Sequence, residues 1–262
     1  MLTVKSISDF LDQLAPTRLA ENWDNVGLLV GDPQAPVQRI MTCLTITPAS
    51  AQEAINQSAE LIVSHHPLPF HPLKKLTTDQ TPTRLLWQLI RAGISIYSPH
   101  TGFDSASDGI NQNLAMQLDI VAPAPLIQNP LDANELGAGR VGKRAPIQLA
   151  GLIDLIKQKF QLQTLQFTGD LSNHCTQIAV GCGSGGTFLS AAVAAGCDTF
   201  VTGEASFHTC LEAQAQNVSL ILMGHYASER FAVERLANQL QLQFPHLAVW
   251  ASQLESDPVQ FR

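Results

Sequence analysis

A chain of 262 residues, 45% of them hydrophobic, can bury a sizeable core as one large domain or two small ones. Its net charge of -7, with no Lys/Arg cluster, argues against a nucleic-acid partner, and no run approaches the roughly 20 apolar residues of a membrane span. Cysteines at 43, 175, 182, 197 and 210 include no CxxC pair, which argues against a disulfide framework or a thiolate zinc site and favours a reducing, cytoplasmic setting.

The opening MLTVKSISDFLDQLAP mixes charged with apolar residues and predicts an amphipathic helix, not a signal peptide. Apolar runs predict strands at Thr42–Thr47, Leu61–Ser64 and Ile94–Ser98, with a helix over Thr83–Ala92. Three prolines within Val121–Pro130 mark a linker. Beyond it, helical spacing covers Ile147–Phe160, and strands are predicted at Leu162–Phe167, Gln177–Gly181, Thr199–Thr202, Ser219–Met223 and Ala248–Ala251. The alternation predicts an α/β layered fold with largely parallel strands.

Ligands of open α/β sheets bind beyond the carboxyl ends of the strands. The predicted strand ends are followed by His65 and His66, by His100 and Asp104, by Glu204, and by His225 and Glu229. All are side chains that bind metals. His225 and Glu229 lie one turn apart on a predicted helix, so they share a face. His100 and Asp104 would do the same in a helix, although Gly102 is equally compatible with a loop. His65 and His66 are neighbours before Pro67, held extended and pointing to opposite sides. A single histidine after a strand is more often structural than a ligand, and His71, His174 and His246 are read that way; His208, close after Glu204, is left open. The case rests on the coincidence at several strand ends. Imidazole and carboxylate ligands suit Zn, Mn, Fe, Co or Ni equally.

A competing signal is Gly181-Cys182-Gly183-Ser184-Gly185-Gly186, which matches G-x-G-x-x-G between a strand and a predicted helix. Read as a dinucleotide fingerprint it would make the chain an oxidoreductase, but it leaves the histidines without a purpose. Gly181, Gly183 and Gly186 could instead cradle a substrate phosphate, or simply form a tight turn. Cys182 is read as a small residue rather than a reactive thiol.

WDNVGL at 23–28, SHHP at 64–67, SPHTGFD at 98–104, GCGSGG at 181–186, TGE at 202–204 and GHYASE at 224–229 occur in an order that resembles the GTP cyclohydrolase 1 type 2 homologs, also called Nif-three-like dinuclear metal-centre proteins. The resemblance spans nearly the whole chain. It implies two divalent ions per chain held by His65, His66, Asp104, His225 and Glu229, with His100 as an additional site residue. It also implies two α/β domains with mixed sheets, the C-terminal segment returning to the first, and a homohexamer. The boundaries expected are 1–125 plus 225–262 for a metal-binding domain and 126–224 for a second domain. Ala205-Ser206-Phe207-His208 departs from the family's usual run after TGE, which bears on substrate specificity.

Together these readings predict a dinuclear metal-dependent hydrolase, GTP cyclohydrolase-like, in which water activated on the ions attacks a small-molecule substrate such as a nucleotide. His100 and Glu204 are the candidate proton carriers. The alternatives are a metal-binding or metallochaperone protein without turnover and a nucleotide-binding oxidoreductase.

Overall fold

The computed structural model describes residues 1–129, 132, 136–260 and 262; Pro130, the last residue of the proline-bearing stretch, lies outside the described residues. The chain is a mixed α/β protein of two compact units, Met1–Phe103 with Ala232–Pro258, and Asp104–Phe231 with Val259–Arg262.

In chain order the elements are α1 (Val4–Leu14), β1 (Gly27–Val30), β2 (Arg39–Cys43), α2 (Pro48–Asn56), β3 (Leu61–Ser64), α3 (Thr81–Arg91), β4 (Ser95–Ser98) and the short α4 (His100–Ser105). Then come α5 (Ile110–Gln117), β5 (Val121–Ala124), β6 (Ile127–Gln128), β7 (Gly137–Ala138), β8 (Arg140–Gln148), α6 (Leu149–Lys159), β9 (Gln166–Thr168) and β10 (His174–Gly181). The last are α7 (Leu189–Ala194), β11 (Thr199–Thr202), α8 (Phe207–Ala215), β12 (Ser219–Leu222), α9 (His225–Gln243) and β13 (Ala248–Ala251).

The first unit's sheet runs β1-β4-β3-β2-β13, with β1 alone antiparallel. Parallel pairing brings the carboxyl ends of β3 and β4 to one edge, so the residues following Ser64 and Ser98 emerge side by side. Met41, Ile62 and Ile96 of the sheet pack against Leu85, Leu86 and Leu89 of α3. The C-terminal segment returns here: β13 pairs with β2, and Thr42 Oγ1 donates to Val233 O at 3.0 Å.

Glu53 on α2, 3% exposed, fastens that return. It accepts hydrogen bonds from Ser252 Oγ (2.6 Å), Gln253 N (3.0 Å), Leu254 N (3.1 Å) and Trp250 Nε1 (3.2 Å). Burial by itself would push its carboxyl up, but these donors outweigh burial and hold it below the usual glutamate range. A lowered folded pKa contributes stability above the unfolded value, which is lost as pH falls through the folded one. Denaturant midpoints measured against pH should therefore decline as acid enters and passes below the ordinary glutamate range. Glu53→Gln should be less stable at neutral pH and show a shallower decline; an unchanged profile would remove Glu53 from this role.

The second unit's main sheet runs β5-β8-β10-β11-β12-β9. Alternation splits its core between two faces. Ile178, Val180, Val201 and Ile221 meet Leu149, Leu152 and Ile156 of α6, whereas Ala179, Phe200 and Leu220 meet Leu189, Ala192 and Ala213.

Three expectations change here. In this sheet only the β10–β11 and β11–β12 pairings are parallel; β5–β8, β8–β10 and β12–β9 pair antiparallel. The stretch read as a linker contributes a paired strand, β5. The strand predicted at Leu162–Phe167 begins later because Gln161 adopts a left-handed φ of 55° and Leu162 N still bonds to Lys157 O, completing the helix end.

Candidate metal centre

In the first unit, β3 delivers His65 and His66, and β4 leads through Pro99 into α4, which opens with His100. Backbone bonds fix the turn after β3: His65 N donates to Cys43 O at 2.9 Å, and Ser98 Oγ donates to His65 O at 2.7 Å. The imidazoles of His65, His66 and His100 lie with ring centroids 5.1 to 5.6 Å apart, and one donor atom from each falls within 4.8 Å of the others.

The rings of His66 and His100 are held from behind. His66 Nδ1 meets Thr45 Oγ1 at 2.7 Å. His100 Nδ1 meets Asp24 Oδ1 at 2.7 Å, and the Asp24 side chain is fully buried. Asp24 also accepts from Thr101 N (3.1 Å), Thr101 Oγ1 and Asn25 N (2.7 Å). Burial opposes its ionisation, but the His100 and Thr101 bonds prevail and bring its pKa down to about 2. An anionic Asp24 accepts the Nδ1 proton, which makes Nε2 the accepting nitrogen of His100. His100 takes a left-handed φ of 28°, a conformation unusual for a non-glycine residue and common at functional sites.

In the second unit, the parallel strands β10, β11 and β12 end together. They lead to the glycine loop, to Glu204 and to α9. His225 and Glu229, one turn apart on α9, approach to 3.1 Å between Nε2 and Oε2. Glu204 Oε1 lies 3.0 Å from His225 Nδ1 and accepts from Ser184 Oγ at 2.5 Å. The His225 and Ser184 bonds hold Glu204 below the usual carboxylate range. Glu204, read from the sequence as a proton carrier, therefore sits where it orients His225. Cys182 Sγ donates to Asp104 Oδ1 at 3.2 Å, and burial pushes this thiol well above its ordinary pKa, so it is no thiolate nucleophile.

Gly102 permits a close approach: a Cβ there would stand 3.3 Å from Pro16 O. The segment is helical, so His100 and Asp104 lie one turn apart on α4.

The loop glycines are explained by their own chain. A Cβ on Gly181 would meet Phe188 at 2.8 Å, and one on Gly186 would meet Ala205 at 2.8 Å. One on Gly183 would stand 2.2 Å from Glu229 Oε1 and 3.3 Å from His225 Nε2. The amides of Cys182 and Gly183 already donate, to Asn111 Oδ1 and Ser228 Oγ. The helix predicted after the loop is a 3₁₀ turn at Gly185–Phe188 followed by α7. His208 lies exposed on α8.

These donors fit divalent cations. Imidazoles with fixed Nδ1 partners and a His–Glu pair in a cradle that admits no Cβ are the chemistry of transition-metal ligation. The carboxylate of Glu229 raises the pKa of His225 most; burial opposes it, Glu204 adds to it, and the result is about 9. Near neutral pH, a cation bound at His225 would have to displace that proton, so apparent affinity should then rise about tenfold per pH unit toward pH 9 from this group. Calorimetric titration with Mn or Zn in buffers of different ionisation enthalpy should show a proton leaving His225 at pH 7. Equal heats in all buffers would contradict it.

Two mixed α/β units with imidazole and carboxylate donors at their strand ends define a protein able to hold divalent metal. The Duf34/NIF3 (NGG1p interacting factor 3) family model matches residues 2–258, and the chain belongs to that family. It is 33% identical over 266 residues to a GTP cyclohydrolase 1 type 2 homolog of Clostridium acetobutylicum, covering 100% of this chain and 99% of the relative. It is also 33% identical over 258 residues to the protein NIF3 homolog of Schizosaccharomyces pombe, covering 92% of each. A Bacillus cereus protein related to NIF3 shares the fold with a TM-score of 0.90 at 21% identity, over 100% of this chain and 99% of that one. A Staphylococcus aureus hypothetical protein does so with a TM-score of 0.90 at 26% identity, over 99% of each. Among the described residues no helix is long and apolar enough to cross a membrane.

Asp24 and Thr45 were not singled out from the sequence. Asp24 stands in the WDNVGL motif, which was the available signal; nothing marked Thr45, which meets His66 only through the pairing of β2 with β3.

Proposed function

We propose that the chain is a hydrolase dependent on two divalent cations held by His65, His66, Asp104, His225 and Glu229. The observation that carries this reading is the outer hydrogen bonding: Thr45 on His66 and Glu204 on His225 each engage Nδ1. Histidines that bind metal are typically oriented this way by a second partner. Helix α4 adds to it, since it presents His100 and Asp104 on one face. When bound, a pair of such cations lowers the pKa of coordinated water and polarises the electrophile.

The chain's own groups do the rest. His100, held by Asp24, accepts or returns a proton at Nε2. Glu204 keeps His225 oriented, and the Gly183 turn keeps the space beside Glu229 clear. The names of the relatives support GTP, or a similar nucleotide, as the small-molecule substrate. Any phosphate contact in the loop falls to amides beyond Gly183, since those of Cys182 and Gly183 are engaged. A homohexamer in the cytoplasm goes with the family reading.

The test is turnover of a panel of nucleoside triphosphates and phosphoesters by metal-loaded protein. Hydrolysis of GTP should stop on chelation and return with added cation. Protein that loads two ions and turns over none of the panel would favour the metal-binding alternative.

A further inference from the structure

A single exposed apolar side chain is ordinary, but adjoining exposed aromatic rings beside a polar site mark a candidate binding surface. Trp23 is 60% exposed and Phe70 39%, and both stand beside the imidazole cluster of the first unit. The Trp23 and Phe70 ring centroids are 6.0 Å apart at 41°, so they form an open corner rather than a closed stack. Each also meets the His100 ring at a steep 77°, with centroids 6.1 and 6.0 Å away.

The segment carrying Trp23 is tied on both sides. Glu21 N donates to Thr101 Oγ1 at 3.0 Å, and Asp24 is locked to His100 and Thr101. Asn25 Nδ2 donates to Pro69 O at 2.7 Å, which joins this segment to the one carrying Phe70. An exposed indole on a restrained backbone is a preorganised surface: little ordering entropy remains to be lost when something lies on it.

We propose that Trp23 and Phe70 form the recognition corner for a planar heteroaromatic ring in the substrate. This deepens the hydrolase reading above and rests on it for the identity of the neighbouring site. A ring stacked on the indole face would share the indole's 41° tilt to Phe70 and lie next to His100. Stacking tolerates many bases, because each presents a π-face. The corner therefore selects for a heteroaromatic ring as a class.

The test uses the full chain with Trp87→Phe and Trp250→Phe, which leaves Trp23 as the only indole. Guanosine, adenosine and cytidine should quench its fluorescence saturably, whereas ribose 5-phosphate, which has no base, should not. Phe70→Ala in this background, and Trp23→Ala in the otherwise unchanged chain read by calorimetry, should each weaken nucleoside binding about 5- to 150-fold. Both variants should load as many cations as the parent.

Saturable quenching by no nucleoside, or full affinity in Trp23→Ala, would overturn the proposal. So would an indole in the free protein that acrylamide cannot reach, since a second copy would then cover it. If quenching fails while cations load, the corner is refuted and the metal reading stands. If nucleosides bind while cations do not load, the metal reading fails and the corner stands.

Discussion

Replacing either His65 or Glu229 with alanine is expected to remove one or both of the proposed cations while leaving the chain folded. Changing an outer partner of a metal-binding histidine typically costs 10- to 100-fold in affinity, so removing a ligand itself should cost more than about 100-fold. Both side chains are largely shielded, His65 at 3% exposure and Glu229 with its carboxylate against His225. In the cation-free protein Glu229→Ala also removes the main cause of the raised His225 pKa, so that ring should titrate nearer its ordinary range. Elemental analysis should fall from two ions per chain to one or none, with a melting curve close to that of the cation-free parent. Thr45→Val, which removes the partner of His66 Nδ1, supplies the graded case: ions bound, but roughly 10- to 100-fold more weakly. Two ions retained in either alanine variant would remove the residue from the ligand set.

The second large effect is expected at Arg140, a side chain only 1% exposed. Its Nη1 donates to Gly137 O (2.8 Å) and Gly139 O (2.7 Å), its Nη2 to Ser105 O (3.0 Å) and Ala106 O (2.7 Å), and its Nε to Gln112 Oε1 (2.8 Å). Burial pulls its pKa down to about 10, yet these partners are carbonyl oxygens with no carboxylate among them. The guanidinium thus closes the carboxyl end of α4, where a positive charge is favoured, and fixes the turn leading into β8. Methionine would keep most of the stem but leave buried carbonyls without donors, at about 1–3 kcal/mol each. Because such losses are not additive, Arg140→Met should cost about 4 kcal/mol in chemical denaturation. Lysine should recover part of it, with fewer donors and no planar fork. Asp104 precedes Ser105 on the same short helix, so cation affinity should fall too. A loss under about 1 kcal/mol would show that other contacts hold this end of α4.

Much of this was legible in the chain because parallel strands advertise themselves. LIVS at 61–64, TFVT at 199–202 and AVWA at 248–251 are short apolar runs, and each is a strand with the expected bounds. The residues following the parallel strands of each sheet could therefore be placed at that sheet's carboxyl edge from the sequence. Strand β8 was missed because RVGKRAPIQ has neither an apolar run nor clean alternation; it pairs on both sides, and the pairing is set by its neighbours. The glycine loop looked like a phosphate fingerprint because the same residue serves any close backbone approach. Here the approaching atoms include the Glu229 carboxylate and the Phe188 ring. Outer partners such as Thr45 were invisible for a simpler reason: a hydroxyl has no periodicity, and its role comes only from what the fold sets against it.

The route of the chain imposes an order of maturation. Residues 104–231 are contiguous and can complete their own sheet as soon as they emerge from the ribosome, whereas the N-terminal stretch, made earlier, waits for β13. Until residues 248–251 are synthesised, the outer side of β2 is an unpaired edge and Glu53 lacks the donors at 250–254. The half encoded first is therefore finished last. Premature termination after α9 would release a chain with the second unit's main sheet complete and a strand edge free to pair with the wrong molecule.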